Sequence, residues 1–149
     1  MRLALAEAAA TTTVTIGAAD VPVGAVVVDA DGEVIGGGHN VREAEDDPTG
    51  HAEIVALRAA GADRHTWRLD GCTLVVTLEP CAMCAGAAVL SRVDRVVFGA
   101  FDPKAGACGS VWDLTRDRTS LHRPEVVAGV LEQECQARLL EFFQARRLG

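Results

Sequence analysis

Two short segments contain the residue types that bind a catalytic transition metal. One is His51-Ala52-Glu53, and the other is the cysteine pair Cys81 and Cys84, which directly follows Pro80. Two thiolates and one neutral imidazole form a three-ligand zinc site, whose fourth tetrahedral position is left for water. Zinc lowers the pKa of that water to about 7. We therefore predict that His51, Cys81 and Cys84 bind one Zn²⁺ and that Glu53 transfers protons between the water and a substrate nitrogen.

Each of these residues has a more ordinary interpretation when it is considered alone. A Cys-x-x-Cys pair can be a redox pair or two buried cysteines. A structural zinc site needs four protein ligands, and Cys72 could be the fourth, although its strand position and apolar neighbours favour the core. Taken together, the H-x-E and P-C-x-x-C segments form the pattern of zinc nucleobase deaminases. A redox or structural-zinc module built on Cys81 and Cys84 remains an alternative.

Both segments are expected at the beginning of helices, because the positive end of a helix dipole favours thiolates. Apolar periodicity after Asp47-Pro48-Thr49 predicts a helix from about residue 49. Pro80 predicts the start of another helix, which runs to about Ser91. Further helices are predicted over residues 2–16 and 131–147, although the threonine run at 11–15 favours a helix end near residue 10. Strands are predicted over residues 21–28, 33–40, 72–77, 95–99 and 125–127.

Alternation of strands and helices predicts an α/β protein in which helices cover a sheet. The first two strands flank Asp31-Gly32, a hairpin signal, and should pair antiparallel. The later strands should run parallel, because we expect helical crossovers to join them. Residues 101–121 are expected to form a long loop with some helical turns. The length of 149 residues fits a single domain over 1–149.

The composition is that of a globular protein, with 49% hydrophobic and 23% charged residues. The net charge of −7 argues only weakly against nucleic-acid binding, since Arg146 and Arg147 cluster near the C-terminal end. An odd number of cysteines without a secretory signal predicts a cytoplasmic location. No stretch is long enough to span a bilayer, so no membrane association is expected. Cys108 and Cys135 are expected to be small apolar core residues.

The chain resembles the bacterial tRNA-specific adenosine deaminases, members of the cytidine deaminase-like superfamily. The resemblance covers nearly the whole chain and is most specific in the Thr-Leu-Glu-Pro-Cys run and in the loop from Asp102 to Ser110. The matching stretches are 21–27, 38–40, 47–53, 76–87, 98–100, 102–104, 109–110, 122–123, 142–143 and 146–147. The resemblance implies a three-layer α/β/α fold with a central mixed five-stranded sheet.

The same resemblance implies a role for several residues outside the metal site. Asn40 would form a hydrogen bond with the flipped-out nucleoside, and Arg42 would contact a phosphate. Asp102 and Lys104 would line the path of the RNA. Phe142 and Phe143 would lie near the RNA, although we expect at least one of them to pack on the sheet instead. For the reaction itself, we expect backbone groups near Ala52 and the Pro80 carbonyl to orient the nucleophile and the leaving amine.

The function implied is hydrolytic deamination of the wobble adenosine of a tRNA anticodon to inosine, by zinc-activated water that attacks C6. A deaminase of a free nucleobase or nucleoside and a non-catalytic RNA-binding subunit are the alternatives. Phe101 stands where many relatives carry a basic residue, and Leu121 stands where relatives often carry Asn. The resemblance also implies a homodimer. The apolar face that includes Ala85, Ala87, Val89 and Leu90 fits a core or a partner equally well.

Overall fold

Five strands form one mixed sheet in the computed structural model, which describes residues 1–11 and 19–147. The strands are β1 (Gly24–Val28), β2 (Val34–His39), β3 (Thr73–Leu78), β4 (Arg95–Ala100) and β5 (Glu125–Val127). The helices are α1 (Arg2–Ala10), α2 (Ala52–Arg64), α3 (Ala82–Leu90) and α4 (Glu132–Arg147). None of these helices is long and apolar enough to cross a membrane.

The strand order is β2-β1-β3-β4-β5, and the predicted directions are confirmed. β1 pairs antiparallel with both β2 and β3, whereas β3, β4 and β5 are parallel to one another. The carboxyl ends of β2, β3 and β4 therefore lie at the same edge of the sheet. The segments that follow these three strands meet there, beside the chain that enters β1.

Helices cover both faces of the sheet, so the predicted three-layer α/β/α architecture is confirmed. α2 and α3 contact each other and bury Ala56, Ala60, Ala85 and Ala88 against one face. α1 packs on the other face, where Ala4 meets Val26 and Val75. α4 lies on that second face too, because its buried Cys135 is next to Gly99 of β4.

The boundaries of several elements differ from the predicted ones. α2 begins at Ala52 and not near residue 49, because the Asp47 carboxylate accepts hydrogen bonds from the backbone and hydroxyl of Thr49 and holds a turn there. α3 begins at Ala82, so Pro80 precedes the helix and is not in its first turn. α1 ends at Ala10, as the threonine run predicted, and the remainder of the predicted helix up to residue 16 lies mostly outside the described residues. β4 and β5 are joined by turns and loops without a helix.

Glycines in β2 allow α2 to lie close to the sheet. A Cβ atom at Gly36 would be 2.5 Å from the Ala56 carbonyl oxygen and 2.6 Å from the Ala60 nitrogen. A Cβ atom at Gly38 would be 2.6 Å from Val55 Cγ1. Since the backbone of α2 cannot move away without displacing its first turn, these glycines help to set the position of that turn.

Replacing Gly36 with alanine should lower the free energy of unfolding by about 2–3 kcal/mol, because a methyl group would collide with backbone atoms of α2. Chemical denaturation followed by circular dichroism measures this. Gly86→Ala in α3 is the matched control: its Cβ would meet nothing within 4 Å, and alanine should stabilise the helix by about 0.5–1 kcal/mol. Equal effects of the two substitutions would contradict the packing argument.

Candidate metal centre and substrate cavity

The predicted metal ligands come together where the first turns of α2 and α3 meet at the edge of the sheet. His51 and Cys81 are the N-cap residues of these helices, both with extended backbone, and Cys84 is in the first turn of α3. Neither N-cap side chain caps its own helix, because the two side chains are directed toward each other. The expectation that both segments begin helices is confirmed.

The three ligand atoms form one tight group. His51 Nδ1 is 3.6 Å from Cys81 Sγ and 3.5 Å from Cys84 Sγ, and all three atoms lie within 4.8 Å of one another. A tetrahedral zinc ion with ordinary Zn–N and Zn–S bond lengths separates its nitrogen and sulfur ligands by about 3.6 Å. The spacing of the donors therefore fits one zinc ion per chain, with His51 bound through Nδ1.

Contacts within this group shift the pKa values of all three side chains. The hydrogen bond with Cys84 lowers the pKa of Cys81 to about 4, and the same contact raises the pKa of Cys84. The hydrogen bond with Cys81 raises the pKa of His51, against the effect of burial. A thiolate already favoured at the N-terminus of α3 is a suitable ligand for a divalent cation.

Glu53 is the second residue of α2, two positions after His51, and is only 4% exposed. Burial raises the pKa of its carboxyl group to about 7. A carboxyl group with a pKa near neutrality can both accept and donate a proton, which is what general acid–base catalysis requires.

A cavity of about 760 Å³ opens over this group and gives a substrate access to it. His51, Glu53 and Cys81 are at its base. Its walls come from the segment before β1, the loop after β2, the residues at the end of β3, the loop after β4 and one side of α4. They include Asp20, Asn40, Arg42, Glu79, Phe101, Asp102, Lys104, Leu140, Phe143 and Arg146.

The Asn40 side chain and the Ala52 backbone, both predicted to bind substrate, are hydrogen-bonded to each other. Asn40 Oδ1 accepts a hydrogen bond from the Ala52 N–H at 2.9 Å, and Asn40 Nδ2 donates to the Val21 carbonyl at 2.9 Å. The Ala52 N–H is therefore already engaged, while one N–H of the Asn40 amide remains for the cavity. The Pro80 carbonyl accepts a hydrogen bond from the Ala107 N–H at 2.8 Å.

The other predicted contact residues lie around the mouth of the cavity. The Arg42 side chain is 61% exposed, and its Nε lies 3.9 Å from Glu43 Oε1. Asp102 accepts hydrogen bonds from the backbone N–H groups of Lys104 and Ala105, so its carboxylate stabilises the turn that carries Lys104.

The aromatic residues named in the sequence differ in their surroundings. Phe101 is half exposed in the cavity wall, where its ring packs edge-on against Phe98 with centroids 5.2 Å apart. Phe142 is half-buried beneath the Arg146 guanidinium, whereas Phe143 is exposed and lines the cavity. Leu121 is exposed to solvent.

Two buried carboxylates that the sequence did not single out hold the loops of this cavity. Glu79 is 2% exposed and accepts hydrogen bonds from three backbone N–H groups of the loop after β4. Asp20 accepts hydrogen bonds from the N–H groups of Glu43 and Ala44, each at 3.0 Å, and so holds the loop that carries Arg42. The sequence signals for Glu79 are its place in the Thr-Leu-Glu-Pro-Cys run and its position directly after a buried strand, and neither of them indicates its hydrogen-bond partners.

Comparison with known proteins agrees with this site. Residues 1–100 match the model of the cytidine and deoxycytidylate deaminase zinc-binding region. The tRNA-specific adenosine deaminase of Bacillus subtilis (strain 168) is 52% identical over 128 residues, which are 86% of this chain and 79% of that protein.

Two solved structures are similar as well. One comes from a study of A-to-I editing by tRNA:A34 deaminases at the wobble position of transfer RNA. It superposes with a TM-score of 0.84 at 39% identity, and the match covers 93% of this chain and 96% of that chain. The guanine deaminase from Nitrosomonas europaea superposes with a TM-score of 0.70 at 29% identity, over 95% of this chain and 79% of that chain. The chain therefore belongs to the zinc-dependent cytidine and deoxycytidylate deaminase family and, within it, to the tRNA-specific adenosine deaminases.

Proposed function

We propose that the protein converts the wobble adenosine of a tRNA anticodon to inosine by hydrolytic deamination. The observation that carries the proposal is that His51 and Cys81, two members of the group that could hold a metal ion, line one cavity together with the buried Glu53 carboxyl. The cavity is large enough for a flipped-out nucleoside, and extrusion is inexpensive for an unpaired base in an anticodon loop. The similarity to tRNA-specific adenosine deaminases supports adenosine in tRNA as the substrate.

His51, Cys81 and Cys84 would hold the zinc ion, which when bound activates a water molecule for attack on C6 of adenine. Glu53 accepts a proton from the attacking water and delivers it to N1 of the ring. It then accepts the remaining proton of the hydroxyl added at C6 and delivers it to the amine as the bond between C6 and the amine nitrogen breaks, so that water and adenosine give inosine and ammonia. The raised pKa of Glu53 suits both directions of proton transfer, since its carboxyl group is neither strongly acidic nor permanently protonated near neutral pH.

Asn40 orients the nucleoside with the N–H of its amide that is not used within the protein. Because its oxygen accepts the hydrogen bond from Ala52 at the start of α2, Asn40 also ties the nucleoside to the turn that carries His51 and Glu53. Pro80 contributes by fixing the approach of the loop after β4 to Cys81, through its carbonyl bond with Ala107.

Cationic residues at the mouth of the cavity would bind the phosphates of the anticodon loop. Arg42 approaches from the loop after β2, Lys104 from the loop after β4 and Arg146 from α4. Three separate elements thus supply positive charge around one opening in a protein whose net charge is −7. Phe143 offers an exposed ring in the same wall, on which a base of the loop can stack.

Replacing Lys104 with alanine should weaken binding of an anticodon stem-loop and reduce its salt dependence. Loss of one phosphate contact to single-stranded RNA lowers the slope of log K against log salt concentration by about 0.7. Fluorescence anisotropy across a salt series measures this slope. Arg68→Ala is the control, because Arg68 pairs with Asp70 at the opposite edge of the sheet. An unchanged slope in Lys104→Ala would remove Lys104 from the phosphate contacts.

The proposal is tested by incubating zinc-loaded protein with an unmodified tRNA that carries adenosine at the wobble position. Inosine at that position, quantified by nuclease digestion and mass spectrometry, is the expected product. Parallel reactions contain guanine, cytosine, cytidine or adenosine. Turnover of a free base or nucleoside without any inosine in the tRNA would overturn the proposal.

Guanine is the second candidate substrate, because a guanine deaminase superposes on 95% of this chain. The acidic net charge and the apolar Phe101 in the cavity wall also suit an uncharged substrate. The reactions with guanine and with tRNA, compared side by side, therefore decide between the two candidates.

A homodimer and a cytoplasmic location complete the proposal. On α3, Ala85 is buried in the core, whereas Leu90 is exposed and Ala87 and Val89 are half-buried, so this helix has an apolar surface that a second copy could cover. Light scattering coupled to size-exclusion chromatography measures the mass in solution. The cytoplasm is the compartment in which such an enzyme would meet tRNA, and none of the five cysteines forms a disulfide.

A further inference from the structure

Glu79 is a buried carboxylate whose partners all lie in the loop after β4. Its Oε2 accepts a hydrogen bond from the Asp102 N–H at 3.0 Å, and its Oε1 accepts from the N–H groups of Cys108 and Ser110 at 3.1 and 3.0 Å. The Ser110 hydroxyl donates to Oε2 as well. Four donors thus converge on one side chain that is almost fully removed from solvent.

The position of Glu79 in the chain connects this loop to the metal centre. The residue directly follows β3, and its own N–H donates to the Ala100 carbonyl at 2.8 Å, which extends the pairing of β3 with β4. Cys81 is two residues further on and pairs with Gly106 of the loop in an isolated β-bridge. A Cβ atom at Gly106 would collide with the Glu79 carboxylate, so the loop lies directly against it.

The loop fastened by Glu79 also forms one wall of the cavity. Phe101, Asp102 and Lys104 line the opening on this side. Asp102 is both a wall residue and the residue whose N–H is bonded to Glu79. The carboxylate therefore sets the distance between the metal ligands on one side and the RNA-facing loop on the other.

We propose that Glu79 is a positioning residue for deamination. Its carboxylate fixes the loop from Asp102 to Ser110 relative to Cys81. The position of this loop in turn determines how tightly the enzyme binds the RNA around the target base. The inference rests on the proposed function. Glu79 does not touch the reacting atoms, since both of its oxygens are bonded to the loop. It acts through the loop, in the way that a supporting carboxylate orients a group in direct contact with substrate.

Replacing Glu79 with glutamine tests this role at nearly constant side-chain volume. Backbone N–H groups can only donate, and the amide offers one oxygen where the carboxylate offers two, so at least one of the loop N–H groups loses its acceptor. A buried unpaired donor is costly, and we expect KM for an anticodon stem-loop to rise about tenfold while kcat changes by less than about threefold. Hydrogen–deuterium exchange in residues 102–110 should be about tenfold faster, and zinc should remain at one ion per chain.

Two further variants separate positioning from stability. Val96→Ala creates a cavity in the buried core of β4, so it should lower stability without changing KM or exchange in the loop. Ser110→Ala removes only the hydroxyl donor, so it should shift KM and loop exchange in the same direction as Glu79→Gln by about twofold to threefold, and it keeps the test informative if Glu79→Gln does not fold.

The proposal is overturned if Glu79→Gln loses stability as Val96→Ala does but keeps the KM and the loop exchange of the unmodified protein. It is also overturned if the variant loses zinc in proportion to its activity, because Glu79 would then support the metal ligands and not the loop. Exchange and zinc content are measured without RNA. A failure to form inosine in the unmodified protein would therefore refute the proposed function while leaving these two readouts to decide the role of Glu79.

Discussion

Replacing Glu53 with glutamine is expected to lower kcat for inosine formation by about 10³-fold while the protein keeps one zinc ion per chain. Glutamine fills the same buried position but can neither accept a proton from water nor donate one to the adenine ring. Positioned proton transfer contributes about 10²–10⁴-fold to a reaction rate. The loss should appear in kcat, measured from single-turnover time courses of inosine formation, and binding of the stem-loop should change little.

Glu33→Gln is the matched control for this substitution. Glu33 is exposed beside the turn between β1 and β2, at the edge of the sheet opposite the metal centre, so the same change of charge there should leave kcat as it is. Zinc content distinguishes the possible causes of a low rate in Glu53→Gln. If more than about a tenth of the activity remains in the zinc-loaded variant, Glu53 is not the residue that transfers the protons.

Replacing Cys81 with serine should remove both the metal and the activity. A neutral hydroxyl is a much poorer zinc ligand than a thiolate, and the remaining donors, His51 and Cys84, are too few to bind the ion firmly. Zinc measured by plasma mass spectrometry should fall to less than about a tenth of an ion per chain after dialysis, with a parallel loss of inosine formation.

Cys72→Ser gives the matched control, because it makes the same atomic exchange at another cysteine. Cys72 is buried next to β3, where its thiol is 3.8 Å from the Asp70 carbonyl, and a hydroxyl can donate to the same oxygen. This variant should keep one zinc ion and its activity. If Cys81→Ser retained zinc and Cys72→Ser lost it, the assignment of the ligands would be wrong.

The grouping of the candidate metal ligands could be predicted from the sequence because each of these residues lies at the start of a helix. His51 and Cys81 precede runs of apolar periodicity that mark helices, and the order of strands and helices brings the beginnings of those helices to one edge of the sheet. Cys108 and Cys135 were expected to be core residues, and both are buried. Short-range patterns and the general rules of α/β topology were sufficient for these features.

The supports of the cavity could not be predicted in the same way, because they depend on pairing across long distances in the chain. Glu79 bonds to residues 23 to 31 positions away, and Asp20 to residues 23 and 24 positions away. Their partners are backbone N–H groups, which every residue except proline has, so no residue type marks them. The loop that joins β4 to β5 was expected to contain helical turns, but no helix lies between these strands. The conformation of this loop depends on its contacts with Glu79, which local propensity does not indicate.

The proposed zinc ligands extend from two different parts of the sheet, and this affects the rate at which the protein unfolds. His51 is tied to β2 through α2, whereas Cys81 and Cys84 continue from β3, and 30 to 33 residues separate them along the chain. An ion bound by all three is a cross-link that closes a long loop, as a disulfide would. While the ion is bound, the two parts of the sheet stay tethered at that point, so their complete separation requires a metal–ligand bond to break. Zinc should therefore slow the rate of unfolding, which gives the enzyme kinetic persistence in addition to its chemistry.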